Sequence, residues 1–181
     1  MSRATYYMVE MNYPHETLAE REAFDRFYHR HIDMLLTIPG FMSAQRFHCV
    51  ESGRAPFLAL YRLVGPDVMT SEAYRSKAGR MSVDPEFRIN MVNWDRNLVR
   101  GPEGTSDPDL SINPEETFML VDRLTDDAPP LPAIFTPLEI VGLDRTIVQR
   151  GVSFENLDFK KIPTGWEVRV WQPIHPVRKP A

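Results

Sequence analysis

The chain has a single cysteine, Cys49, among its 181 residues. No disulfide can therefore close within it, and no Cys/His spacing resembles a zinc site. It has no apolar run near the roughly 20 residues that a membrane-spanning helix needs. Its first residues enter a strand-like pattern without the apolar core of a signal peptide. A basic stripe is also missing: the net charge of −4 is spread over both signs, and only Val177-Arg178-Lys179-Pro180 is locally basic. Neither nucleic acid nor a membrane is expected as a partner. No glycine-rich loop matches a phosphate or dinucleotide site, and no Gly-x-Ser-x-Gly elbow occurs. His15, His29, His31, His48 and His175 form no tight ligand spacing. Cys49 has His48 as its only basic neighbour, on the opposite face of a strand, so its thiol lacks an activating base. Together these absences predict a cytoplasmic protein that uses no metal and no cofactor.

What is present is an ordinary globular composition, 43% hydrophobic and 25% charged, long enough for one large domain or two small ones. Its 16 prolines are unevenly placed, and nine of them lie beyond residue 110. Proline removes a backbone donor and stops helices, so the last third is expected to be strand and irregular chain. Three segments follow: a folded unit over 1–101, a linker over 102–115 rich in Gly, Pro, Ser and Asp, and a proline-rich β region over 116–181. The last is either an extension that wraps over a neighbouring subunit or a degenerate second half of the same fold.

Residues 4–13 read as a strand that is apolar on both faces except at Glu10. Thr17 and Glu20 stand at capping-box spacing and open a helix over 17–37. On it Phe24, Phe27, Tyr28, His31, Ile32 and Leu35 share one face, while His29 falls among Asp25, Arg26 and Asp33. Pro39-Gly40 ends this helix. Strands over 41–51 and 57–64 flank a Gly/Pro turn at 52–56 and read as a hairpin. A shorter helix over 67–78 and a loop through Met81 lead to a fourth strand over 93–100. The order β-α-β-β-α-β predicts a ferredoxin-like α+β fold, an antiparallel sheet with both helices on one face. Its other face must be buried by a second sheet, from a partner subunit or from the C-terminal part of the chain. Beyond the linker, strands are expected at 116–122, 143–152 and 166–172. Arg145, Arg150, Glu167 and Arg169 alternate on them and are expected to face solvent.

Phe27-Tyr28, His31-Ile32, Leu36, Pro39-Gly40-Phe41 and Ala44-Gln45-Arg46-Phe47 resemble the helix-to-strand segment of dimeric α+β-barrel proteins, and more narrowly of the EthD-like group. Phe57-Leu58-Ala59-Leu60-Tyr61 and Trp94 before Arg96-Asn97-Leu98-Val99-Arg100 resemble their third and last strands, so the likeness spans about residues 4–100. It implies a homodimer with a barrel-shaped pocket between sheet and partner sheet. It also implies small-molecule chemistry of the isomerase, decarboxylase, lyase or cofactor-free monooxygenase kind, or a non-catalytic binding role; fold alone does not choose.

His31 corresponds to the helix histidine of that group. An imidazole on a buried face is either a satisfied core residue or the acid/base of a pocket. Glu10 would assist it, with a pKa raised by burial unless the carboxylate is paired. Arg46 and His48 share a face of the second strand. With Tyr61 on the third they would hold a carboxylate or phenolate, unless Arg46 pairs with a protein carboxylate. Tyr28 would lend a hydroxyl, and Trp94 would line the cavity. The expected substrate is a small aromatic or lactone-like oxygenated acid.

Overall fold

The computed structural model describes residues 5–51, 55–78, 83–104, 109–155 and 157–181. The expected turn at Ser52-Gly53-Arg54 and the loop at Met81 lie outside them. Strand β1 (Thr5–Asn12) runs into helix α1 (Leu18–Leu36), followed by β2 (Phe41–Cys49) and β3 (Phe57–Leu63). The expected second helix divides in two, a 3-10 turn over Pro66–Thr70 and α2 (Glu72–Lys77), because Ser71 is extended and caps α2 by accepting from the Tyr74 N–H. A further short helix, α3 (Pro85–Arg88), precedes β4 (Val92–Arg100). The capping box of α1 forms as expected: Thr17 Oγ1 accepts from the Glu20 N–H at 3.2 Å, and Glu20 Oε2 accepts from the Thr17 N–H at 2.9 Å. The α1–β2 turn needs its glycine. Gly40 has φ +97°, and a Cβ there would lie 2.5 Å from Val68 Cγ2.

Strands β5 (Phe118–Arg123), β6 (Thr136–Leu143), β7 (Gln149–Ser153) and β8 (Trp166–Pro173) complete a closed eight-stranded barrel in the order β1-β3-β2-β8-β5-β7-β6-β4. Every pairing is antiparallel. The first four strands run β4-β1-β3-β2, and the last four repeat that order as β8-β5-β7-β6. The second sheet therefore comes from this chain. The expected strand at 143–152 is in fact the end of β6, a turn and the start of β7. Leu143 and Arg145 adopt positive φ there, 68° and 50°, which breaks any continuous strand. β6 escaped the sequence pattern because Pro137 and a mixed polarity hide its alternation.

Side chains alternate between the lumen and the outside. Tyr6, Met8 and Glu10 of β1 point inward, while Tyr7, Val9 and Met11 pack outward under α1. The lumen is filled by Tyr6, Met8, Phe47, Leu58, Leu60, Phe118, Leu120 and Trp171. Part of the expected linker belongs to this core. Leu110 and Ile112 are buried in it, with the Leu110 N–H donating to Tyr6 Oη at 3.3 Å. Gln45 holds Ile112 from both sides, donating to its carbonyl at 2.8 Å and accepting from its N–H at 3.2 Å. On the outside of β5, β7 and β8, irregular chain replaces the helices, with Leu131, Phe135, Leu157 and Phe159 as its cover.

The uncovered face of the first sheet was expected to be buried by a partner subunit or by the C-terminal part of the chain, and the family resemblance implied a homodimer. β5–β8 now supply that cover, so the barrel itself requires no partner. Sedimentation velocity at low concentration is expected to give a compact monomer of one chain mass, and a concentration-independent dimer would contradict it.

Candidate active site

The structure separates residues that the sequence pattern had grouped. Glu10 lies in the lumen, 1% exposed, in a buried quartet with Asp122, Arg150 and Arg169. Arg150 Nη2 donates to Glu10 Oε1 at 2.6 Å, and Arg169 Nη1 to Glu10 Oε2 at 2.7 Å. The same two guanidiniums bind Asp122 through Arg150 Nε at 2.7 Å and Arg169 Nη2 at 2.6 Å. Two positive and two negative groups cancel. Burial pushes the Glu10 carboxyl up, but Arg150 and Arg169 outweigh it and hold the pKa at about 2. Glu10 therefore stays ionised, and it faces away from His31 across the sheet, so it cannot orient that ring. Arg150 and Arg169, expected in solvent, are 0% and 3% exposed. Their partners on β1 and β5 could not be paired with them by local pattern.

His31 sits on the other side of the sheet, between α1 and the outward faces of β1, β3 and β4. Its ring stacks on Phe27 at 5.8 Å and meets Tyr28 edge-on at 5.8 Å. With Tyr7, Val9, Tyr28, Leu35, Tyr61, Tyr74, Val83, Trp94 and Arg96 it lines an internal cavity of about 20 Å³, room for about one water molecule. Burial lowers the His31 pKa to about 4, so the imidazole is neutral near pH 7. Burial raises the Tyr7, Tyr28 and Tyr61 hydroxyls, so all three stay protonated. Tyr7 stacks on Tyr61 at 5.5 Å and hydrogen-bonds to Tyr74. The buried Tyr61 hydroxyl lies beside that of Tyr28 but has no hydrogen bond of good geometry. Arg96 brings the positive charge, aligned by Asp144 through Nη2 at 3.0 Å. Burial opposes the Arg96 charge, and the Asp144 hydrogen bond more than restores it.

Of the expected site residues, His31, Tyr28, Tyr61 and Trp94 meet in this cavity. Arg46 is on the same outer side but is already engaged. It is 1% exposed, contacts Asp25 Oδ1 at 2.9 Å and covers the Tyr28 ring at 4.4 Å. His48 lies elsewhere, in an open groove of about 480 Å³ at the barrel end with His15, Arg21, Cys49 and Phe57. Burial raises the Cys49 thiol pKa. Tyr7, Tyr74 and Arg96 were not foreseen. Tyr7 could have been, since it shares strand parity with Val9 and Met11.

No protein-family model and no curated protein sequence matches the chain. Among solved structures, an anthrone oxidase-like protein superposes over 100% of this chain and 94% of its own, with TM-score 0.57 and 11% identity. A protein from Lactobacillus acidophilus NCFM, provisionally assigned as a monooxygenase, covers 99% of this chain and 97% of its own at TM-score 0.48 and 7% identity. A provisionally assigned chlorite dismutase covers 67% of this chain and 55% of its own at TM-score 0.40 and 13% identity. The superposition on the anthrone oxidase-like protein shows a shared fold.

Within that fold the two halves are not chemically equivalent. Register places Met119 of β5 where Tyr7 stands on β1, and Val168 of β8 where Arg96 stands on β4. Met119, Val168 and Val170 line the corresponding outer cleft with Leu157, Phe159 and Ile162. The tyrosines, the histidine and the arginine thus belong to the first half alone.

Proposed function

We propose that the cleft between α1 and the first-half sheet is the active site of an enzyme acting on a small phenol or enolisable aromatic ketone. The observation that carries this is a neutral imidazole in a cavity walled by four tyrosines, Trp94 and Arg96, at a position where the lining of the second-half cleft has no tyrosine, histidine or arginine. His31 accepts a proton from the carbon or hydroxyl of the substrate. The enolate or phenolate oxygen that forms is met by the Tyr61 hydroxyl and Arg96, donors already held in place. Trp94 and the tyrosine rings supply a flat apolar wall.

The same proton transfer would serve isomerisation, decarboxylation or lyase cleavage. Likeness to an anthrone oxidase-like protein favours oxidation by dioxygen. For anthrone, loss of the ring-CH₂ proton gives an electron-rich anion that transfers electrons to O₂. One anthrone and one O₂ yield one anthraquinone and one water, and the chain supplies proton transfer and binding without a cofactor. We further propose that residues 116–181 are a degenerate copy of a ferredoxin-like half over 1–101, joined through 102–115. The repeated strand order supports this. Kinship with the EthD-like group, on the Phe27–Phe47 segment, and a cytoplasmic site of action belong to the same proposal.

Purified protein with anthrone is expected to consume oxygen and form anthraquinone faster than buffer at neutral pH. A second reading, a ligand-binding protein without turnover, is favoured by the cavity volume of about 20 Å³, which admits a substrate only after a wall moves. Saturable quenching of tryptophan fluorescence by anthrone with no oxygen uptake would establish that second reading.

A further inference from the structure

The C-terminal tail beyond β8 does not trail into solvent. It runs back along β2 and across α1. Ala44 and Arg178 exchange two backbone hydrogen bonds at 2.9 Å, and the Ile174 N–H donates to the Arg46 carbonyl at 2.8 Å. Gln45 Nε2 donates to the His175 carbonyl at 3.2 Å. The Arg178 side chain reaches α1, where it binds Asp33 at 2.5 Å and donates to the His29 carbonyl at 3.4 Å. The tail therefore ties α1 to the sheet, and α1 carries Tyr28 and His31.

At the centre of this tie two imidazoles touch. The rings of His29 and His175 are 5.3 Å apart at 76°. His175 Nδ1 is used by the Pro176 carbonyl at 2.7 Å. Nε2 of each ring is buried without a hydrogen-bond partner. Arg46 of β2 and Arg178 of the tail both act on the pair, and the carboxylates near it are Asp25 and Asp33 of α1. Both carboxylates are spoken for. Asp25 holds Arg21 at 2.9 Å and Arg46 at 2.9 Å, and Asp33 holds Arg178. Three guanidiniums thus face two carboxylates before either imidazole is charged. A proton on His29 or His175 adds like charge to a site where, among the described residues, three guanidiniums already face two paired carboxylates.

We propose that the His29–His175 contact is a proton-operated latch, which holds the C-terminal tail on α1 and β2 at neutral pH and releases it on acidification. The sign follows from burial and the two arginines, which lower both histidine pKa values from their ordinary 6.5. The latched state then binds fewer protons than the released state. Its stability is complete above the ordinary histidine pKa and declines as pH falls below it. Release also frees α1 on its Asp33 side, so that the tyrosine cavity can widen. This last step rests on that cavity being the ligand site, whereas release of the tail does not.

Hydrogen exchange, corrected for the intrinsic pH dependence of amide exchange, reads the latch directly at the mutually bonded amides of Ala44 and Arg178. Each imidazole contributes at most about tenfold between about pH 7.5 and pH 5.5, so their protection is expected to fall by up to about a hundredfold. In the His29→Gln/His175→Gln variant, which cannot titrate, protection at the two pH values should agree within about twofold. Unchanged wild-type protection, or an equal fall in the variant, would overturn the latch. Should the variant not fold, NMR titration of the two wild-type rings decides instead: midpoints below the ordinary value support the latch, and ordinary midpoints refute it. Anthrone quenching of tryptophan fluorescence on the same samples tests the widening. Tail release without a change in quenching rejects the link to the cavity and leaves the latch standing.

Discussion

Replacing Glu10 with alanine is expected to cost about 3–5 kcal/mol of folding stability, the usual penalty for removing one partner from a buried ion pair. Arg150 would keep only Asp122 as a carboxylate partner, and Arg169 would keep Asp122 and, at 3.5 Å, Glu167, so both guanidiniums would lose a short charged contact in a lumen otherwise filled by Tyr6, Met8, Leu58, Leu60 and Phe118. For a chain of this size the melting temperature should drop by roughly 6–20 °C. Glu10→Gln keeps the shape and one acceptor oxygen but not the charge, so a smaller loss is expected. A loss below about 1 kcal/mol for the alanine variant, in equilibrium urea unfolding, would mean that the guanidiniums find other partners. The pH dependence runs in a defined direction. Because the folded pKa of Glu10 is depressed to about 2, its contribution is complete above the ordinary carboxylate value of 4.5 and disappears as pH falls toward about 2. Glu10→Gln also separates two roles, since a folded variant should retain turnover. The sheet stands between Glu10 and His31.

His31→Ala should lower kcat/KM for anthrone oxidation by about 10²–10⁴-fold, the range for loss of a positioned acid/base. The ring contacts of His31 are a stack on Phe27 and an edge-on contact with Tyr28, and the variant is expected to melt within a few degrees of the parent. Destabilisation by several kcal/mol with turnover intact would make His31 a core residue. The pH profile gives an independent reading. With its pKa lowered to about 4 by burial, His31 can accept a proton only above that value. kcat should therefore rise through about pH 4 and stay level across neutrality, instead of rising near the ordinary histidine value. Tyr61→Phe removes one donor for the developing oxyanion while keeping the ring stacked on Tyr7.

Much of the local architecture was legible. The capping box at Thr17 and Glu20, the apolar stripe from Phe24 to Leu35 and the break at Pro39-Gly40 define α1 by short-range chemistry alone. The helical stripe of α1 and the alternation of the strands set which residues share a face, so Tyr28, His31, Tyr61 and Trp94 were named before their meeting place was known. Arg46 and His48 were named on strand parity, and the structure does not bring them into the same cavity. Parity says that two residues share a face; it does not say what covers it. Arg46 proved to lie against Asp25 and Tyr28, and His48 at the barrel end.

The sequence by itself therefore determined the elements of the first half, their order and the two-sided burial of β1. Only the tertiary structure decided that the barrel closes within one chain, that Leu110 and Ile112 fill its lumen, and that Glu10 belongs to Arg150 and Arg169. Those two pairs span 140 and 159 residues of chain. Periodicity is a property of neighbours within a few residues, whereas barrel closure and buried charge pairing join strands far apart in sequence. Their partners become defined only when the last strands, β7 and β8, take their places beside β5.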